Sequence, residues 1–583
     1  MSIRPVAGRN GCDDRRRQPH AALELSSPWV VLTLLVNASL AEKSVAEATK
    51  ELVMSKLRLR RTIFLCCVFC AATAICSPTT ITFTTLVNFD VTDGAQPYLV
   101  SLVQGFDGNF YGTTSESGVP NKFGTVFKIT PEGAPTTLHS FCSETKCLDG
   151  NTPYPGLILA TNGNFYGTTQ GGGAGSRGTV FDISPGGKLT TIYAFCSETN
   201  CADGESPYGG LIQASNGNFY GTTWGGGNGD CSDGCGTVFE ITGAGKLTTI
   251  YRFCSKTDCA DGAKPYGGLV QASNGNFYGT TWSGGGSKSS NGCFESCGTV
   301  FEITPAGKLT TLYSFCSQAK CADGSNPAAG LIQASNGNFY GTTNGGPDYQ
   351  GTVFEITAAG KLTTLYSFCQ QVSCLTGYGP YAGLIQATDR NLYGTTFGGG
   401  THGDYGTVFE ITAAGKLTTL YSFSGANGDR PTGGLVQATN GTFYGTTNIG
   451  GKNSDGTVFS LSTGLAPFVR LRTASGKVGS KVTILGMKLT GASKVEFNGT
   501  PAEFTIPQSG EIIATVPSGA TTGYVAVATP SGTLRSSTTF AVIPQIRSFE
   551  ATTGPVGTSV PITGVSLTQT SEVTFDGVKP SLR

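Results

Sequence analysis

Residues 330–343 read GLIQASNGNFYGTT, residues 351–357 read GTVFEIT, and residues 361–368 read KLTTLYSF. These three phrases recur in order, with the leading leucine at Leu102, Leu157, Leu211, Leu269, Leu331, Leu384 and Leu435, a spacing of 51 to 62 residues. The seventh copy stops after GTVFSLS at Ser462 and lacks the third phrase. A stretch of that kind stands ahead of the first copy instead, as Thr82-Phe83-Thr84-Thr85-Leu86-Val87-Asn88-Phe89. An array whose last unit lacks a strand that its beginning supplies is expected to close into a ring.

Each copy holds four strand-like runs. Leu-Ile-Gln-Ala-Ser is followed by Asn-Gly, the strongest two-residue hairpin signal, and then by Asn-Phe-Tyr-Gly-Thr-Thr. The third and fourth runs are joined by turns such as Pro305-Ala306-Gly307. Phe219 and Tyr220 are adjacent, so they point to opposite faces of a strand, and two large aromatics require both faces to be covered. Four-stranded sheets stacked radially meet that demand, at the usual blade size. A parallel β-helix is the rival; it has shorter rungs, lacks the antiparallel hairpin and leaves the displaced strand unexplained. The expected fold is therefore all-β, a seven-bladed β-propeller over residues 78–464 closed by its N-terminal strand. Alternating strand direction puts the short first-to-second and third-to-fourth turns on one face. The long second-to-third gaps and the links between blades gather on the other. The gap is 7 residues in the fifth copy (Asn344 to Gln350) and 16 in the fourth (Trp282 to Cys297), so length variation collects on that second face.

Composition narrows the class. Charged residues are 13% and glycines 85 of 583, which suits a sheet-and-turn protein. Formal net charge is zero and the repeats hold no basic cluster, so nucleic acid is not an expected partner. His20, His139 and His402 are too scattered for a repeated metal or acid–base site, and neither metal nor cofactor is expected. Residues 54–77 run from a basic MSKLRLRR through an apolar core to Ala72-Thr73-Ala74, the anatomy of a secretory signal peptide. Met54 reads as a start, and residues 1–53 as an over-extended N-terminus. The apolar core is short of the roughly 20 residues of a spanning helix, so the mature chain is expected without a membrane span.

Cysteines point to the same compartment. Five copies carry Cys-x4-Cys after the third phrase: Cys142/Cys147, Cys196/Cys201, Cys254/Cys259, Cys316/Cys321 and Cys369/Cys374. Cys231/Cys235 and Cys293/Cys297 sit in the gaps of the third and fourth copies. The sixth copy reads SFSGANGDRP and has lost both members of its pair together, as bonded partners must. Zinc needs four ligands, and the first, second and fifth copies offer two each. Seven short-loop disulfides are expected, each worth about 2 kcal/mol.

The phrase NFYGTT…GG…GTVFEIT…LTTLYSF resembles the GloVer tandem repeat of bacterial secreted proteins, across residues 82–463. That resemblance implies an exported or surface protein and brings no catalytic residues. After Leu465 the idiom changes. GKVGSKVTILG, KVEFNGTPAEF and VPSGATTGYVAVATPSGT resemble an IPT/TIG immunoglobulin-like domain, over 465–543, and GPVGTSVPITG with EVTFDG resembles the start of a second, over 544–583. The resemblance thus adds an immunoglobulin-like β-sandwich and a truncated second one.

Candidate sites are few. Trp224, Trp282 and Phe397 occupy the position after Gly-Thr-Thr on the variable face and are the expected ligand-binding residues; shielding of the disulfide loops is their structural alternative. Ser115, Gln170, Asn344 and Asn448 hold that position in the other copies. Asp149, Asp203, Asp261 and Asp323 lie in Cys-x-Asp-Gly settings, which serve either calcium or turn chemistry. Glu240, Glu302, Glu355 and Glu410 are expected to pair across strands with Lys246, Lys308, Lys361 and Lys416. The copies are nearly interchangeable, which disfavours catalysis, although His402 and Asp404 offer one asymmetric pair. The leading expectation is a monomeric, secreted or cell-surface binding or adhesion scaffold, with polysaccharide or another surface component as partner. The alternatives are an extracellular carbohydrate-active lyase or glycosidase and a purely structural spacer.

Overall fold

A computed structural model describes residues 2–5, 80–116, 123–227, 231, 234–286, 297–370, 373–550 and 553–574. The over-extended segment and signal peptide expected upstream lie almost wholly outside these residues. Among the described residues no helix is long and apolar enough to cross a membrane.

Seven four-stranded antiparallel sheets form the repeat region. Blade 3 is representative, with strands Ile212–Gln213, Phe219–Thr223, Thr237–Ile241 and Leu247–Arg252 in that order. Blade 7 takes Val436–Gln437, Phe443–Thr447 and Thr457–Ser462 from the end of the array, and its fourth strand is Thr82–Asn88. A register shift between Val238 and Phe239 marks the pairing of third and fourth strands in blade 3; the closing strand shows its own between Thr85 and Val87. The N-terminal strand is thus the structural equivalent of the fourth strands.

Blades are held to one another by the two aromatics of the second strand, a pair in which Leu392 replaces the phenylalanine in blade 6. Tyr220 stacks on Phe277 of the next blade at 4.2 Å between centroids, and Phe219 stacks on Tyr166 of the preceding one at 4.0 Å. Tyr444 stacks on Phe110 at 4.1 Å, so the last blade meets the first as any neighbours meet. Between them runs a glycine with no room for a side chain: a Cβ on Gly279 would lie 2.6 Å from the Phe301 ring. Thr446 Oγ1 donates to Val100 O at 3.0 Å, repeating across the closure the bond from Thr280 Oγ1 to Ala329 O at 2.8 Å.

Two expectations need correction. The inner strand spans two residues, and the loop after it is Ser215-Asn216-Gly217 where a two-residue one was expected: Ala214 N donates to Asn218 O and Gly217 N to Ala214 O, both at 2.9 Å, while Gly217 takes φ +87°. The strand is short because the backbone beyond it bonds sideways; Ser215 N donates to Gln271 Oε1 of the next blade. The glutamates also have other partners. Glu240 Oε1 accepts from Tyr220 Oη at 2.8 Å and Asn218 Nδ2 at 2.6 Å, because Tyr220 stands directly opposite Glu240 in the ladder.

Residues 470–543 form two sheets around Val482, Ile484, Val495, Phe497, Ile512 and Phe540. Beyond them Gln545–Phe549 and Ile562–Val565 pair as a hairpin. The sandwich packs on the hairpin-turn face of the ring: Phe468 N donates to Thr439 O at 2.9 Å, and Leu485 joins the cluster of Leu159 and Phe106.

Candidate functional site

On the opposite face the chain leaves each fourth strand, makes a loop that holds a Cys-x4-Cys pair in blades 1 to 5, and enters the next blade through a proline. Six disulfides are described: Cys142–Cys147, Cys196–Cys201, Cys231–Cys235, Cys254–Cys259, Cys316–Cys321 and Cys369–Cys374. Cys293 lies outside the described residues, and with it the geometry of the seventh expected pair, whose other member is Cys297. In blade 3 the sulfurs of Cys231, Cys235, Cys254 and Cys259 fall within 4.8 Å of one another, bonded two by two.

Sequence reasoning missed a second role at Cys147 and Cys374, where a sulfur role alone was expected. Both residues adopt a left-handed backbone, with φ 52° and 39°. That turn aims their carbonyls at the glycine-rich gap of the blade that follows. Cys147 O accepts from Gly150 N and Gly173 N, both at 2.9 Å, and Cys374 O accepts from Gly377 N at 2.9 Å and Gly400 N at 3.1 Å. The disulfide loop thus clamps the gap through its backbone as well as closing on itself, a link between separated segments that Cys-x4-Cys spacing does not reveal.

The Cys-x-Asp-Gly aspartates organise these loops. Asp203 is fully buried; its Oδ2 accepts from Ser197 N at 3.0 Å and Tyr193 Oη at 2.8 Å, and its Oδ1 from Glu198 N at 3.2 Å. Asp261 and Asp323 do the same, and His139 replaces the tyrosine beside Asp149. The carboxylates spend their lone pairs inside the loop, which is the turn chemistry weighed against calcium.

The residue before each proline adopts a left-handed backbone: Gln96, Thr152, Ser206, Lys264, Asn326, Gly379 and Arg430 have φ between 51° and 61°. Six of them carry side chains, a strain that only a well-determined frame sustains. That frame is visible. Lys264 N donates to Cys235 O at 2.7 Å, and Lys264 O accepts from Trp282 N at 3.0 Å. The same two bonds recur in every blade; Ser206 O accepts from Trp224 N and Gly379 O from Phe397 N, both at 3.0 Å. The backbone is repeated, and only the side chains it presents vary.

Those side chains converge on the ring axis. Tyr98, Tyr154, Tyr208, Tyr266 and Tyr381 follow the proline in five blades, with Ala328 and Thr432 in the others. Ring centroids run from Tyr98 to Tyr154 at 5.3 Å, to Tyr208 at 5.4 Å and to Tyr266 at 5.0 Å. Tyr266 interacts electrostatically with Tyr98, three blades away, so the rings meet over the axis. Trp224 stands edge-on to Tyr208 and Tyr266, at 5.6 and 5.4 Å, and Trp282 lies 5.8 Å from Tyr266. Phe397 sits apart against Tyr381 at 5.4 Å, with the Arg430 guanidinium 5.1 Å over its ring. The two tryptophans are therefore brought together, and Phe397 belongs to a second aromatic pair. All eight rings are half-buried. Sequence reasoning missed the tyrosines, although Pro-Tyr in five of the seven copies was the available signal.

Burial, then neighbouring Tyr154 and Tyr98, pushes Tyr208 up to about 12, and Tyr266 is raised further, so these hydroxyls stay protonated. Blades 6 and 7 supply a polar edge. Asp404 accepts from Tyr378 Oη and Gly399 N, both at 2.7 Å. Asp429 Oδ1 and Asn448 Oδ1 are buried acceptors without hydrogen-bond partners. Burial above all, with Asp404 adding to it, raises the Asp429 carboxyl. His402 bonds Thr401 at 3.1 Å, so it and Asp404 are engaged separately.

The family model described as Gloeobacter/Verrucomicrobia repeat matches residues 75–294 and 287–500, and that of the IPT/TIG domain matches residues 468–542. No curated protein matches the chain. Among solved structures, a putative gluconolactonase is similar at 11% identity and TM-score 0.33, covering 67% of this chain and 94% of its own. A putative 6-phosphogluconolactonase from Bacteroides uniformis gives 16%, TM-score 0.37, 57% and 88%. The tricorn protease gives 10%, TM-score 0.31, 75% and 38%.

Proposed function

We propose, of a chain that belongs to the Gloeobacter/Verrucomicrobia repeat family, that it is an exported, non-catalytic binding protein whose disulfide-bearing face takes a polysaccharide. The observation that carries this reading is the run of half-buried rings across the axis, Tyr98 to Tyr266 with Trp224 and Trp282. Sugar rings present apolar C–H faces that stack on aromatics, and the tyrosine hydroxyls offer hydrogen bonds beside them. Short-loop disulfides support export, since such bonds persist in oxidising compartments. Catalysis would need convergent acid–base groups, and Asp404 and His402 are spent on separate partners.

A glycan array probed with the mature chain tests the reading, with turnover assayed on every hit. Binding that falls in Trp224→Ala and Tyr266→Ala, without turnover, supports it. Cleavage of a bound glycan would favour the lyase or glycosidase. No retained glycan at all would leave the structural spacer.

A further inference from the structure

The segment that leaves the ring turns two arginines back onto it. Arg470 and Arg472 are two residues apart at the start of the IPT/TIG domain, where extended chain puts alternate side chains on one side. Arg470 Nη2 donates to Gln437 O and Arg472 Nη2 to Leu159 O, each at 2.7 Å. Those carbonyls end the inner strands of blades 7 and 2, at the hairpin end of the ring's centre, with blade 1 between them. Phe468 and Phe106 lie beside the guanidiniums, at 5.9 and 5.7 Å, leaving N–H edges as the binding groups. Arg472 Nε is buried without a hydrogen-bond partner.

Among the described residues no carboxylate balances these charges, and neither arginine is in an ion pair. Asp107 lines the adjoining cavity of about 230 Å³ with Phe106 and Gln508, but it accepts from Tyr111 Oη at 2.8 Å and has Lys128 at 3.9 Å. Burial disfavours the charge on both arginines, and Arg472 disfavours it further on Arg470. A guanidinium does not give up its proton in a protein, so the charge stays and calls for a mobile counterion.

We propose that Arg470 and Arg472 form a binding site for a small tetrahedral oxyanion of the sulfate or phosphate class, held between ring and IPT/TIG domain and tightening their junction. The site lies where the two domains meet, so its ligand is a free ion and not a chain. A guanidinium edge matches two oxygens of such an ion.

The test is thermal unfolding of the purified full chain, titrated with sodium sulfate and separately with sodium phosphate at constant ionic strength set by sodium chloride. The expected result is a rise in midpoint that saturates at millimolar oxyanion, because a ligand bound to the folded state alone stabilises it. Arg472→Gln should abolish the saturable rise, and Arg470→Lys should weaken it about tenfold in half-saturating concentration, since lysine loses the bidentate fork. A wild-type midpoint that climbs without saturating, or stays flat, would overturn the proposal, as would equal saturation in Arg472→Gln. Should Arg472→Gln fail to fold, the wild-type curve and Arg470→Lys decide alone.

Discussion

Glu302 shows how one residue ties a turn to its sheet. Its Oε1 accepts from Tyr278 Oη at 2.8 Å and Asn276 Nδ2 at 2.7 Å, so strand and turn groups share one oxygen. Glu302→Ala removes the acceptor of the buried tyrosine hydroxyl, which keeps only the bond it accepts from Asn274 Nδ2, and should cost about 1–3 kcal/mol. Glu302→Gln keeps an acceptor and should cost less; urea midpoints of the two variants separate the cases. Buried tyrosines of the second and fourth strands set an alkaline limit. Burial first, then the bond to Glu240, pushes Tyr220 from 10.0 up to about 12, and burial does likewise for Tyr251. A folded-state pKa above the unfolded one contributes stability that is fully present below about pH 10. That contribution is lost as pH rises toward about 12, because the unfolded chain releases its protons first. Guanidinium midpoints should hold level up to about pH 10 and fall above it; a level curve through that range would contradict the assignment.

At the scale of the loop, blade 6 is a natural experiment. It lacks both cysteines and the aspartate, and Asn427 takes over, its Oδ1 accepting from Ser424 N at 3.0 Å while its amide reaches Tyr421 Oη. Asp203→Asn should therefore be tolerated better than Asp203→Ala, whose loss of a buried acceptor costs about 1–3 kcal/mol. Removing one disulfide, Cys254→Ser with Cys259→Ser, should cost about 2 kcal/mol from the short closed loop and leave the ring folded. Calorimetry on the variants checks both, and a ring that fails to fold without a single bond would give the disulfides a larger role. The loop matters to function through the proline that follows. Its left-handed predecessor fixes where Tyr208 and Tyr266 stand, so Ser206→Gly should relieve strain and raise the melting midpoint in calorimetry, whereas Lys264→Gly would also remove the ammonium 5.5 Å over the Trp224 ring.

For the whole molecule the decisive element is residues 82–88. Deleting them removes the fourth strand of blade 7 and uncovers Phe459, which packs on Phe83 at 5.5 Å. An open edge beside a bare aromatic invites association, so the truncated chain should elute as aggregate in size-exclusion chromatography where the full ring runs as one species. Blade number, closure and the division into two faces were legible in the sequence, because the repeat carries hydrophobic pairing in every copy and misses one strand at the end. The tryptophans of the mouth were legible for the same reason, as departures from a repeated phrase at a fixed position. The tyrosines were harder to see. Tyr98 and Tyr266 are 168 positions apart and become partners only because ring closure brings every inter-blade link to one axis. The cysteine pairs were legible as bonds, whereas the hold of Cys147 and Cys374 on the next blade's gap needed the folded loop. The glutamates misled for a related reason: spacing along the chain offers a lysine, but the ladder sets a tyrosine directly opposite. Local pattern and turn chemistry were enough to specify each blade. Which side chains from separate blades share a surface, and which face the IPT/TIG domain covers, depended on the curvature of the closed ring, a property no single repeat contains.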